Sequence, residues 1–212
     1  MQSIVKKQIV AVTGVVWIVY LLMHLYGNFY IFRGPEALNG WAEMLRELPI
    51  LLWTVRFGLI VAFLIHAVFT VLIVIENRRA RGTRYAKRVN HRESSSFAVR
   101  TMPITGPIIL IYIVVHLLDF TFAEHTGIVG GEDLGLYGLV VNTFLNPVHS
   151  GLYILAMIAV GVHLSHAIQS VLQTFGLADD ERLPIFGKLS VVLGTAIALA
   201  YISIPVYIFV AL

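Results

Sequence analysis

Residues 148–172 read VHSGLYILAMIAVGVHLSHAIQSVL, a stretch without a single Asp, Glu, Lys or Arg. A helix rises about 1.5 Å per residue and the hydrocarbon of a bilayer is about 30 Å thick, so this segment is long enough to cross one. It also holds three histidines, His149, His163 and His166. An ionisable side chain inside a membrane is costly and marks a functional site by default. The segment thus predicts a fold made of membrane-spanning helices and says where its chemistry should be sought.

Working outward, four more segments have the same character: residues 5–30, 50–75, 103–122 and 189–212. Together the five take up most of the chain, so the expectation is an all-α polytopic bundle of five transmembrane helices, a single domain over residues 1–212. The composition agrees, with 58% apolar and only 13% charged residues, about half the charged fraction of a soluble domain. The formal charge of +3 gathers at span edges and is not a nucleic-acid signal. Absence of cysteine excludes disulfides, thiolate-held iron–sulfur clusters and covalently attached c-type haem in this chain. Lys6 and Lys7 precede an apolar run that is too long for a signal-peptide core and lacks a small-residue cleavage site, so the first span is expected to be retained.

Lys and Arg mark cytoplasmic loops. Besides Lys6 and Lys7, the second loop carries Arg78, Arg79, Arg81, Arg84, Lys87, Arg88, Arg92 and Arg100, and the fourth carries Arg182 and Lys188. The first loop offsets Arg33 and Arg46 with Glu36, Glu43 and Glu47; the third has only Glu124, Glu132 and Asp133. The N-terminus and the second and fourth loops are therefore expected inside, and the C-terminus outside. Residues 39–48 read as a short interfacial helix anchored by Trp41, and residues 133–144 as a second one. Pro49, Pro103 and Pro147 stand at or next to span starts, where a missing backbone donor costs least. The fifth span holds Pro205 and no histidine, acid or base, and is expected to seal the bundle.

Of the eight histidines, His91 and His125 fall in loops and read as solvated side chains, while His149 reads as interfacial. The first four spans each carry at least one of the other five. Depth sorts them. Taking 1.5 Å per residue, His24 lies roughly 9 Å and His116 roughly 5 Å outward of their span centres. His66 and His163 each lie roughly 5 Å inward of theirs. Each layer thus offers two imidazoles from different helices. Zinc asks for three or four ligands at one depth. Two per layer is the number that a bis-axial haem iron uses, and such ligation leaves no open iron position and favours electron transfer. The reading is two b-type haems, one held by His24 and His116 and one by His66 and His163. Gly14, Gly27, Gly58, Gly106 and Gly161 would let a flat macrocycle approach, or else serve ordinary helix packing.

The segment 163–176, HLSHAIQSVLQTFG, resembles the haem-ligand helix of the cytochrome b membrane-anchor subunits of succinate dehydrogenase and fumarate reductase, the complex II family. His163 matches the ligand, and Gly176 the glycine that ends the helix. The likeness extends over the chain as five spans with histidines in the first four, separated by 42, 50 and 47 residues from His24 to His66, His116 and His163. It is to the branch with two haems and one anchor subunit. The resemblance implies a bacterial cytoplasmic-membrane protein whose partners are a flavoprotein subunit carrying FAD, an iron–sulfur subunit docked on the inner basic loops, membrane lipid, and further copies of the complex. Electrons would pass through the proximal haem on His66 and His163 and the distal haem on His24 and His116 to a quinone, with menaquinone expected. No FAD or iron–sulfur cluster is expected in this chain.

In such anchors a quinone pocket is expected near the distal haem with an acid to handle protons. Candidates are Glu43 and Glu47, close to Trp53, a quinone contact, and Arg56. An unpaired charge one or two turns inside a span is costly, so Arg56 either meets a haem propionate or snorkels to the interface. Gln169, Ser170 and Gln173 are candidates for the proximal propionates, and Asp119 either supports His116 or marks the span end. Some di-haem fumarate reductases carry an acid two positions before the fourth ligand; here that position is Gly161, which argues against a compensating proton route. Two other readings remain: a di-haem cytochrome b of a hydrogenase or formate dehydrogenase, and a haem-free transporter or structural subunit with a histidine relay. The transporter reading is weakened by the lack of an evident internal repeat.

Overall fold

The computed structural model describes residues 3–80, 97–179 and 181–212. Its elements are α1 (Ser3–Asn28), a 3-10 turn (Phe29–Arg33), α2 (Pro35–Arg46), α3 (Pro49–Ala80), α4 (Phe97–Phe120), β1 (Ile128–Val129), β2 (Glu132–Asp133), α5 (Gly135–Leu145), α6 (Pro147–Thr174) and α7 (Leu183–Ala211). Among the described residues five stretches are long and apolar enough to cross a membrane: Ile4–Arg33, Pro49–Ala80, Thr101–Phe120, Pro147–Thr174 and Leu183–Ala211. The chain is an all-α polytopic bundle, as the apolar runs predict.

The local sequence explains the helix ends. Asn146 caps α6 by accepting from the backbone N–H groups of Val148 and His149 at 2.9 and 3.4 Å, with Pro147 behind it needing no donor. At the other end of α6, Gly176 takes φ +72°, the left-handed conformation that ends a helix at little cost to glycine. Pro103 lies next to the start of its span, Thr101–Phe120, although α4 itself begins at Phe97 and runs through both Pro103 and Pro107. Neighbouring helices and hydroxyls can accommodate such prolines in a membrane bundle. The first short helix begins at Pro35, not at residue 39, and the second at Gly135, after a two-residue hairpin that the sequence did not suggest. The basic stretch with Arg81, Arg84, Lys87, Arg88, Arg92 and His91 lies outside the described residues, as does the side chain of Arg100.

Packing divides the bundle into two antiparallel hairpins, α1 with α3 and α4 with α6, while α7 lies along α6. The α6–α7 seam is close enough that a Cβ on Gly161 would sit 2.8 Å from Ala198 Cβ and 3.3 Å from the Gly194 carbonyl oxygen. One buried cluster, with Met157, Val160, Leu164 and Ile197, fills this seam. A second, with Ile31, Leu38, Tyr137, Val141, Phe144, Tyr153, Ile204 and Ile208, joins α2 and α5 to the ends of α6 and α7. The short elements thus form a cap over one end of the bundle. Asn39 of α2 stitches the cap, accepting from the Tyr137 N–H at 3.0 Å and donating to the Leu134 carbonyl at 2.9 Å.

Candidate functional site

Each hairpin contributes one histidine to each layer. At the capped end His24 of α1 faces His116 of α4, ring centroids 5.7 Å apart and planes at 87°. Two nitrogen–metal bonds of about 2 Å each place opposed imidazole centroids roughly 6 Å apart, so this pair stands at the spacing of two ligands on one metal ion. Aromatic rings wall the pair. Tyr20 stacks on His24 at 5.3 Å, Tyr201 of α7 lies 6.3 Å from it, and Tyr112, Phe120 and Tyr153 surround His116 at 5.6, 5.4 and 6.2 Å. The fifth helix does more than seal: the Tyr201 hydroxyl also donates to the Leu21 carbonyl at 2.7 Å, tying α7 to α1.

At the other layer His66 of α3 and His163 of α6 lie within electrostatic range of each other, with His166 beside His163. Their Nδ1 atoms are both engaged by threonines on the adjacent helix. Thr13 Oγ1 of α1 lies 3.1 Å from His66 Nδ1, and Thr105 Oγ1 of α4 lies 3.2 Å from His163 Nδ1. Both threonines are buried. The Val10 carbonyl oxygen is also 3.2 Å from His66 Nδ1. A carbonyl can only accept, so that nitrogen carries the proton and Nε2 keeps its lone pair.

Sequence reading missed these threonines and the tyrosines, although a signal was present. Residues 13–24 and 105–116 both spell Thr-Gly-x5-Tyr-x3-His: Thr13, Gly14, Tyr20, His24 and Thr105, Gly106, Tyr112, His116. The reverse helices repeat an alanine four residues before their histidine, Ala62 before His66 and Ala159 before His163, both buried. The two hairpins thus share a short pattern, and each layer pairs the histidines at equivalent places in it.

The other candidates fall as follows. Of the five glycines, Gly14 lies against the His66 ring and Gly58 and Gly106 face open space, whereas Gly27 makes room for Trp41 and Gly161 for α7. Trp41 stacks on Tyr30 at 5.1 Å, so it packs on the end of α1. Arg56 has a partner in Trp53, its guanidinium 5.1 Å from the ring centroid. Trp53 is exposed, as are Glu43 and Glu47. The Gln169 amide lies against Gly187 of α7 and its backbone N–H donates to Ser190. Ser170 and Gln173 are half-buried in the last turns of α6. Asp119 accepts from the Tyr153 hydroxyl at 2.7 Å, with His149 Nε2 3.9 Å from its other oxygen. His125 is not simply solvated: Nε2 donates to the Phe120 carbonyl at 2.8 Å, and Arg46 of α2 donates to Nδ1 at 2.5 Å.

Among the described residues no three histidines or acids converge as a metal site. Among the described residues three buried polar atoms have no protein partner: Trp17 Nε1, Thr70 Oγ1 and His116 Nδ1. They lie on the histidine-bearing helices, and the Trp17 donor fits a ligand with a polar edge. The chain is similar to the succinate dehydrogenase cytochrome b558 subunit of Bacillus subtilis (strain 168), 24% identical over 164 residues, which are 77% of this chain and 75% of that protein. No family model and no solved structure matches. The similarity supports the resemblance to complex II membrane-anchor cytochromes b, and a multi-pass protein of a bacterial cytoplasmic membrane fits it.

Proposed function

We propose that this chain is the membrane-anchor cytochrome b subunit of a succinate:quinone oxidoreductase and that it carries electrons between an iron–sulfur subunit and membrane quinone through two bis-histidine b-type haems. The observation that carries the reading is the facing of His24 and His116 across two hairpins, with His66 and His163 in electrostatic reach of each other at the other layer. The curated relative supports the succinate dehydrogenase context. In that context a flavoprotein subunit handles succinate and this chain does not, and the inner basic loops dock the iron–sulfur subunit.

Haem, when bound, supplies one-electron carriage. His24 with His116, and His66 with His163, would hold the two groups, and ligation by two imidazoles would suit each to electron transfer. The apolar bundle and the aromatic walls at Tyr20, Tyr112 and Tyr201 keep water from the capped-end pair. The glycines Gly58 and Gly106, with open space before them, and Gly14 at His66 suit the flat faces of the macrocycle. The unpartnered buried donor at Trp17 Nε1 suits its polar edge. Glu43, Glu47 and Trp53 remain the candidate quinone contacts at the capped end, Arg56 the distal-propionate candidate, and Gln169, Ser170 and Gln173 the proximal-propionate candidates.

The test is a reduced-minus-oxidised absorption spectrum of the purified chain together with four single variants. Wild type is expected to show two b-type centres. His24→Ala and His116→Ala should lose or grossly disturb one centre, and His66→Ala and His163→Ala the other. Four variants that each keep both centres would overturn the reading. Menaquinone as the acceptor makes succinate oxidation uphill, so in intact vesicles an uncoupler is expected to abolish succinate–quinone activity, and unchanged activity would remove that assignment.

A further inference from the structure

We infer that Thr13 and Thr105 are paired positioning residues that hold His66 and His163 in the Nδ1–H tautomer and so tune one of the two centres without touching the other. The inference rests on the bis-histidine reading and deepens it.

A neutral imidazole has one N–H and one lone pair, and the partner of one nitrogen fixes the role of the other. Thr13 uses its hydroxyl proton within its own helix, donating to the Ile9 carbonyl at 2.8 Å. Its oxygen is then free to accept, and His66 Nδ1 is 3.1 Å away. The Val10 carbonyl shares the same N–H at 3.2 Å. Thr105 repeats the placement: its hydroxyl donates to the Met102 carbonyl at 3.4 Å and lies 3.2 Å from His163 Nδ1, and the same assignment there leaves Nε2 as the ligating atom on both sides. Both threonines occupy the first position of the repeated pattern, eleven residues before a histidine of the other layer. Their agreement is therefore a property of the repeat and not of one contact.

Among the described residues the other layer shows no such threonine bond. His24 stacks on Tyr20 and His116 Nδ1 is buried without a partner. Donation from Nδ1 makes the imidazole a stronger base and fixes its ring plane. A more basic axial ligand favours the oxidised iron, so losing the bond should raise the midpoint potential of the His66–His163 centre.

The experiment uses the full chain, as single variants Thr13→Val, Thr105→Val, Thr13→Ser and Thr105→Ser. Each is titrated redox-potentiometrically, with low-temperature electron paramagnetic resonance of the oxidised form. Both valine variants, although 92 positions apart, should move the same centre upward by roughly tenfold in its reduction equilibrium, about 59 mV for one electron. They should alter that centre's g-values and leave the other where it was. Serine should restore both properties. Valine variants with two unchanged centres would overturn the inference. So would valine variants that disturb both centres equally, or serine variants that fail to restore, because either result marks a packing role. A wild-type chain without two b-type centres would instead remove the bis-histidine reading, and this one with it.

Discussion

At the residue scale, the four histidines were legible and the groups holding them were not. A histidine in an apolar run is costly enough to announce itself. A threonine is not, because it can satisfy its hydroxyl on its own helix, as Thr13 does. Nothing local reveals that its oxygen also meets a histidine 53 positions on. Glycine was ambiguous in the same way. Gly161 carries no ligand role: it is where α6 touches α7, and that explains why an acid there has no room. Gly161→Ala should cost about 1–3 kcal/mol through overpacking, read as a lower melting temperature in detergent. Gly151→Ala, with nothing within 4 Å of its Cβ, should leave the melting temperature near wild type.

At the scale of elements, the spans were readable to within a turn or so at most ends because apolar length is a strong signal, and the cap was readable only in part. Its two short helices showed in the sequence, but the hairpin is two residues per strand and rests on side chains. Asp133 accepts from the Gly127 and Gly135 N–H groups at 2.9 and 3.0 Å. These bonds hold its carboxyl below the ordinary carboxylate range. A depressed folded pKa means that the carboxylate's contribution is complete above the ordinary value and lost as pH falls through the folded one. Amide-exchange protection at Gly127 and Gly135 should therefore drop between neutral and strongly acidic pH, and Asp133→Asn should abolish that dependence. Asn39→Ala removes a donor and an acceptor between α2 and α5, and a loss of about 1–3 kcal/mol is expected, seen as earlier proteolysis of residues 121–146.

For the whole molecule, topology is the expectation most easily tested, since the chain holds no cysteine. A cysteine replacing exposed Glu132 should react with an impermeant thiol reagent added outside intact cells, and one replacing exposed Glu181 only after the membrane is opened. The reverse pattern would invert the orientation drawn from the basic loops. The pattern shared by the hairpins was hidden for a physical reason: lipid-facing positions accept any apolar residue, so the two hairpins keep in common only those side chains that meet something specific.

The helix α7 lies outside that pattern, and it breaks the symmetry. It walls the α6 flank, whereas α3, the counterpart of α6, offers Phe57, Ile60, Val61, Leu64 and Val68 as an exposed apolar face. Lipid therefore meets two layers of helix on the α6 side and a single helix on the α3 side.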